Sequence, residues 1–428
     1  MPSAAPAEQR DAVGTAGLYL FAFSAWSLRP LAVVGCLLML WALWADRAAC
    51  WPQLRRDPLT WVLLAIAGYA VLYAPVAALG EPDSWQQQVK HAARVAYYAG
   101  LVPVAWYLRG DEGRVLRTWA VAAAGFLLAR LAFLGELSDL DGPWWEARLG
   151  LGLEPISFAY YAGTLLLGAL VFAPRLARLA PRRYRWTVIG ALLLLAAVLL
   201  EGVILSQTRA AWVALAPLLL LVFAAGLWAG WRRGERRAAI AALLAVALLG
   251  AVIAGNLPAV GERLASERQT WSALLAGNLD TVRTGSGRAR QNSVGIRIVM
   301  LREGLARWRE APLFGHGPAA AKLTLRDSEV FLLSRFNDYH NVQVDLLVRY
   351  GVVGLGLFTA AVVLTLRGFH RGWRAGALGG DTALFLGCIM ALLLASTLTN
   401  VRLLNWDFRY WVFLAAGPLA SYRYYCRP

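Results

Sequence analysis

Long apolar runs alternate with short polar breaks along almost the whole chain, and this rhythm stops once. Runs of roughly 18 or more apolar residues predict membrane-spanning helices. About twelve can be placed, near 13–28, 30–46, 59–79, 91–108, 115–135, 154–173, 186–204, 210–231, 238–254, 344–366, 382–399 and 407–421. Between the ninth and tenth the pattern turns polar for almost ninety residues. The expected fold is therefore an all-α polytopic membrane protein in three parts. Residues 1–254 hold transmembrane helices 1–9, residues 255–343 form a large polar loop, and residues 344–428 hold helices 10–12 and a tail.

The polar segment has its own helical pattern. Ile298, Leu301, Leu305 and Trp308 fall at helical spacing, and Glu303 precedes Arg307 by four residues. This predicts an amphipathic helix lying against the membrane helices. Pro312 and Gly315-His316-Gly317-Pro318 predict a turn, and 319–335 a second short helix.

Composition sharpens this picture. Of 428 residues 59% are hydrophobic, with a mean hydropathy of +0.52, which is more apolar surface than a soluble domain uses. The net charge of +16 would suggest nucleic acid in a soluble protein. Here the arginines are spread over many short connections, and no nucleic acid partner is expected. Alternate connections are the basic ones: Arg47, Arg55 and Arg56; Arg109, Arg114 and Arg117; the runs at 175–185, 232–237 and 367–374. The positive-inside bias puts these connections and both termini in the cytoplasm, and the 255–343 loop outside, in the periplasm of a bacterium. That loop is itself basic, with twelve Lys or Arg against eight acids, which suits a phosphate-bearing lipid. Cys36, Cys50, Cys388 and Cys426 lie outside the loop and form no metal-type pair, so neither a disulfide framework nor a zinc site is expected. The N-terminus lacks the order of a cleaved signal peptide, and the first helix is expected to be retained.

Candidate chemistry gathers on the outer side. Arg209 opens a helix after Ser206-Gln207-Thr208. It reads either as an arginine reaching to lipid headgroups or as an anion contact at a helix N-terminus. Arg297 sits inside the apolar periodicity, so it should point into the protein and need an anionic partner. His340 ends the loop where a membrane helix begins, with Asn337 or Asp338 as candidate caps. The positive end of the helix dipole favours neutral imidazole, the form a general base needs. Asn341, Asp345 and Arg349 share one face of that helix, and Asp345 and Arg349 are expected to pair. Gly351, Gly354 and Gly356 would let helices approach closely. Asp139 and Asp141 could bind a divalent cation, but a polar turn before Gly142-Pro143 is the preferred reading.

Together these pieces resemble the O-antigen ligase family. They are Ser206-Gln-Thr-Arg209-Ala-Ala-Trp212; Arg297 upstream of Trp308 and Pro312-Leu-Phe-Gly-His-Gly317; and His340-Asn341-Val-Gln-Val-Asp345 running into Gly351-Val-Val-Gly354. One departure is that many members carry an acid before the first glycine of the last motif, where this chain has Arg349-Tyr350. The resemblance implies a glycosyltransferase of the C-type membrane fold in the bacterial inner membrane. Such enzymes transfer O-antigen polysaccharide from undecaprenyl diphosphate to a sugar hydroxyl of the lipid A-core, with no nucleotide sugar, metal or other cofactor. His340 then suits the general base, and Arg209, Arg297 and Arg288 the diphosphate contacts, with Asn341 and Asp345 in support. An O-antigen polymerase or a protein O-oligosaccharyltransferase would use the same donor and similar motifs. A lipid-linked sugar flippase is the rival of another class, although the polar residues gather at one side and no internal repeat is visible.

Overall fold

The computed structural model describes residues 7–137, 148–232, 236–258, 293–326 and 333–426, with positions 261, 265, 272 and 276 between them. Arg288, Asp139 and Asp141 lie outside the described residues. Those described form an all-helical chain without strands. The helices are α1 Ala7–Ser24, α2 Arg29–Ala45, α3 Arg47–Leu54, α4 Pro58–Gly80, α5 Trp85–Ala96, α6 Leu101–Leu108, α7 Glu112–Leu131 and α8 Pro155–Leu179. They continue with α9 Arg185–Leu205, α10 Arg209–Arg232, α11 Arg236–Gly255, α12 Ser293–Glu310, α13 Ala320–Arg326, α14 Val342–Arg374, α15 Gly380–Thr397 and α16 Trp406–Tyr425.

Eleven of the twelve apolar runs each coincide with one helix, and the fourth is split into α5 and α6 by a short 3-10 turn at Tyr97–Gly100. Coincidence with a helix is not the same as a span. Among the described residues six helices are long and apolar enough to cross a membrane, namely α4, α8, α9, α10, α14 and α15. A seventh is reached if α2 and α3, bent by 94° where they meet, count as one. Helix starts follow their local chemistry. Asp57, Asp111 and Glu154 accept hydrogen bonds from backbone N–H groups opening α4, α7 and α8, and Pro occupies the first turn of α2, α4 and α8.

The helices α8 and α16 form the middle of the bundle. Aromatic side chains tie them together: Tyr160 packs on Phe408 and Trp411, and Tyr161 packs on Trp411 at 6.0 Å. The outer helices leave large apolar side chains uncovered, such as Leu72, Leu79, Val213 and Leu220. So wide an apolar surface is what lipid covers.

The polar loop docks onto this bundle where α14 begins. Helix α12 lays Met300 into a small core with Ala321, Leu325, Tyr339 and Val348, and Glu303 pairs with Arg307 at 3.5 Å as their spacing predicts. The turn that follows is inserted into α14 itself. Gly351 has φ 63° and ψ −162°, so the helix is interrupted there. The break frees backbone groups that would be costly in an apolar setting. The turn takes them up: His316 N–H donates to Val348 O at 2.8 Å and Gly317 N–H to Arg349 O at 2.9 Å. In return Val352 N–H donates to Pro312 O at 2.9 Å and Val353 N–H to Leu313 O at 3.2 Å. Tyr69 and Tyr73 of α4 donate their hydroxyls to Phe314 O and Gly315 O. Gly351 is thus a backbone break, and a Cβ on Gly356 would meet nothing within 4 Å. Neither serves the close helix approach expected from the sequence.

Candidate active site

His340 stands in the last step of chain before α14, and Asn341 caps the helix by accepting from Val344 N–H at 3.0 Å. The sequence reading differs here in two respects. The cap is Asn341 and neither Asn337 nor Asp338, and His340 lies outside the first turn. Its backbone is left-handed, φ 52°, a region that a side chain of this kind enters only when its surroundings hold it. Asp338 does the holding. Its Oδ1 accepts from the His340 backbone N–H at 3.0 Å and lies 2.8 Å from the ring Nδ1. The edge of the Phe336 ring closes one side, with centroids 5.2 Å apart. A carboxylate acceptor fixes the tautomer with hydrogen on Nδ1, so the Nε2 lone pair is available to take a proton. Burial would push the Asp338 carboxyl up, but the hydrogen bonds from His340 and the charge of Arg349 outweigh it and hold Asp338 below the usual carboxylate range.

Behind this pair, Arg349 is a buried hub. Its Nε meets Asp345 at 2.5 Å, the pairing their spacing predicts. It also donates to His91 Nδ1 at 3.1 Å, to Asn337 O at 3.4 Å and to Pro318 O. Every carboxylate oxygen of Asp345 is taken by this arginine. Asp345 thus holds Arg349, which in turn reaches the chain before His340 at Asn337 O.

The connection between α15 and α16 joins His340 to the arginines. Asn341 Nδ2 donates to Leu398 O at 3.1 Å, and Gln343 donates to Thr397 Oγ1 at 3.0 Å. Further along, Arg402 pairs with Glu154 at the start of α8. The half-buried Arg297 of α12 exerts its charge on the Tyr160 hydroxyl, which neighbours Thr399 and Asn400. Arg209 is the first residue of α10, and the preceding Thr208 donates to Pro155 O at 3.4 Å. His340, Arg297 and Arg209 thus lie at the same end of the bundle.

Beside Asp338 opens a polar chamber of about 500 Å³, with Arg349 also in its wall. Lys90 and Arg94 reach it from α5, Lys322 from α13 and Asn405 from the start of α16. Sequence reading missed this face because 91–108 counts as an apolar run. The signal was present: Gln86, Gln87, Lys90, His91 and Arg94 recur at helical spacing along α5. Arg349, Val401 and Leu404 also line an apolar groove that continues from the chamber along α14.

Two comparisons bear on this arrangement. No curated protein matches the sequence. The family model described as O-antigen ligase matches residues 191–359, a stretch that runs from α9 through Arg209, α12 and the inserted turn to His340 and the broken α14. Over that stretch the chain is similar to the O-antigen ligase family.

Proposed function

We propose that the protein is an O-antigen ligase, transferring O-antigen polysaccharide from undecaprenyl diphosphate to a sugar hydroxyl of lipid A-core during lipopolysaccharide assembly. The observation that supports this reading is a histidine clamped by Asp338, whose carboxylate also lines a chamber that carries Lys90, Arg94 and Lys322. In the proposed step His340 Nε2 takes the proton of the acceptor hydroxyl as its oxygen bonds to the anomeric carbon. The bond from that carbon to the diphosphate breaks on the opposite face, its electron pair leaves with the diphosphate, and configuration inverts. Negative charge grows on the leaving group, and Arg209 and Arg297 meet it in a site of low dielectric. Arg288 is a weaker candidate for the same duty.

The architecture proposed for this chemistry is the C-type glycosyltransferase fold with twelve membrane-embedded helices, set in the bacterial inner membrane. Both termini face the cytoplasm, and the 255–343 loop and the site face the periplasm. Cations of the chain take the place of a metal ion at the diphosphate, so the reaction is expected to run in EDTA.

Reconstitution tests the proposal. Purified protein, undecaprenyl-diphosphate-linked glycan and rough lipopolysaccharide are mixed in liposomes with EDTA and no nucleotide. A ladder of higher-mass lipopolysaccharide is expected. Extension of the lipid-linked glycan without transfer to lipopolysaccharide would identify a polymerase, and activity restored only by Mg²⁺ or Mn²⁺ would overturn the metal-independent step.

A further inference from the structure

The basic connection between α2 and α4 has no part in the site around His340. Helix α3 runs through it, bent by 94° from α2. Because α2 stands along the bundle against α1 and α6, α3 lies across the bundle's end. Its inner face is fixed. Cys50 and Leu54, four residues apart, are buried, and Gln53 donates to Tyr424 O at the end of α16. Its outer face follows the same spacing. Arg47, Trp51 and Arg55 come at intervals of four and are exposed, as is Arg56 next to them. The two acids of this connection are engaged elsewhere, Asp46 by Arg10 of α1 at 3.6 Å and Asp57 by Arg423 of α16 at 2.9 Å. Among the described residues none of Arg47, Arg55 and Arg56 is ion-paired, so their charges stand uncompensated. Three exposed indoles accompany them. The Arg47 guanidinium lies over the Trp44 ring at 4.9 Å, Trp51 meets Trp61 edge to face at 5.9 Å, and Trp61 Nε1 donates to Arg55 O at 2.8 Å. Indoles interleaved with arginines on a helix lying across a bundle's end fit the boundary between acyl chains and headgroups.

We propose that the α2–α4 connection is a binding surface for anionic phospholipid, with headgroup phosphate held by Arg47, Arg55 and Arg56 and the glycerol region packed on Trp44, Trp51 and Trp61. Charge decides the occupant. Arginine grips phosphate oxygens as a fork, and a net negative headgroup meets three free cations that a zwitterionic one, carrying its own cation, does not balance. The surface lies at the end of the bundle away from His340, where Arg109 meets Asp11. Through Asp46, Gln53 and Asp57 it is tied to α1 and α16. Lipid bound there stabilises that end of the bundle, whatever reaction His340 serves.

Native mass spectrometry of the full chain in neutral detergent tests this with dioleoyl phosphatidylglycerol against dioleoyl phosphatidylcholine. Phosphatidylglycerol should bind about tenfold more tightly or better, and inorganic phosphate at the same concentration should not displace it. Arg47→Ala/Arg55→Ala/Arg56→Ala should weaken phosphatidylglycerol by about tenfold or more and leave phosphatidylcholine unchanged, while Arg47→Lys/Arg55→Lys/Arg56→Lys retains most of the affinity. Trp51→Ala/Trp61→Ala should weaken it about threefold. As a control, Arg182→Ala/Arg183→Ala/Arg185→Ala removes the same charge from another connection and should cost less than about threefold. Where the α3 triple variant is not monodisperse, each of its single substitutions should lose about twofold. Phosphatidylglycerol should also raise the thermal unfolding midpoint of the unaltered protein and not that of the α3 triple alanine variant. Equal losses in the two triple alanine variants would show that the lipid reads net charge alone and would overturn the surface. Equal affinity for the two lipids, or displacement by inorganic phosphate, overturns it as well.

Discussion

At the scale of single residues, the arrangement of Asp338 and His340 makes the sharpest demand. One carboxylate oxygen holds both the strained backbone and the ring of the histidine. Left-handed backbone costs on the order of 1 kcal/mol, so it persists only because Asp338 over-determines it. Asp338→Asn preserves shape but offers an amide that can present hydrogens to Nδ1 and select the wrong tautomer. It should lower kcat about 10- to 100-fold with KM for donor and acceptor unchanged, and Asp338→Ala should do at least as much. A merely structural role would instead lower expression and leave kcat of the surviving protein intact. His340→Ala should remove more than about 100-fold of the rate while donor binding persists. Arg209→Ala and Arg297→Ala should each cost roughly 2–4 kcal/mol in the transition state, about 30- to 1000-fold, with only partial rescue by Lys, which lacks the two-pronged grip. Turnover near wild type in both alanine variants would place the diphosphate elsewhere. The Asp345–Arg349 pair was legible in the sequence because helical spacing decides who meets whom within one helix. The Asp338 clamp was not, because a left-handed turn between two residues leaves no periodic trace. Nor was the chamber, whose cations come from α5 and α13, more than two hundred residues apart.

At the scale of elements, the interrupted α14 explains a motif that has no chemistry of its own. Pro312-Leu-Phe-Gly-His-Gly317 packs against the break in α14, and His316 invites a catalytic role. Its ring is instead engaged with Arg307 O at 2.8 Å, and its backbone satisfies the groups that Gly351 frees. The turn could be predicted from its glycines, but its insertion into a helix forty residues later could not. Nothing in the apolar run at 344–366 marks a break except Gly351 itself. The conformation at Gly351 is open almost only to glycine, and an added Cβ would lie 2.2 Å from Leu313 O. Gly351→Ala should therefore destabilise the protein by about 2 kcal/mol or more, read as an earlier midpoint in thermal unfolding in detergent. Gly356→Ala, with open space around it, should be neutral. Equal midpoints for the two variants would contradict the break.

At the scale of the whole molecule, the apolar rhythm located the helices well and their lipid contact less well. The helices that fall short of a simple span carry charges that hydropathy penalises: Arg114, Arg117 and Arg130 in α7, Asp407, Arg409 and Arg423 in α16. Inside a bundle these charges are tolerated because neighbours partner them, as Asp57 does for Arg423 at 2.9 Å, and because α16 is enclosed by other helices along nearly its whole length. The same partnering marks the two ends of the bundle. At the end away from His340, Arg109 meets Asp11 at 2.5 Å and Arg175 meets Glu112 at 2.8 Å, within the connections whose arginines predict a cytoplasmic face. At the His340 end Lys90, Arg94 and Lys322 face an open chamber. If the first end is cytoplasmic, a donor assembled on a membrane lipid must be presented to His340 from the outer leaflet, and both termini must stay inside. Alkaline phosphatase, which folds only outside the cytoplasm, should therefore be active when fused near Gly285 in the loop and silent when fused near Gly234 between α10 and α11. A green fluorescent protein fusion should show the opposite pattern. Activity at 234 with silence at 285 would invert the protein in its membrane, put His340 on the wrong side of its lipid-linked substrate, and remove the ligase reading with it.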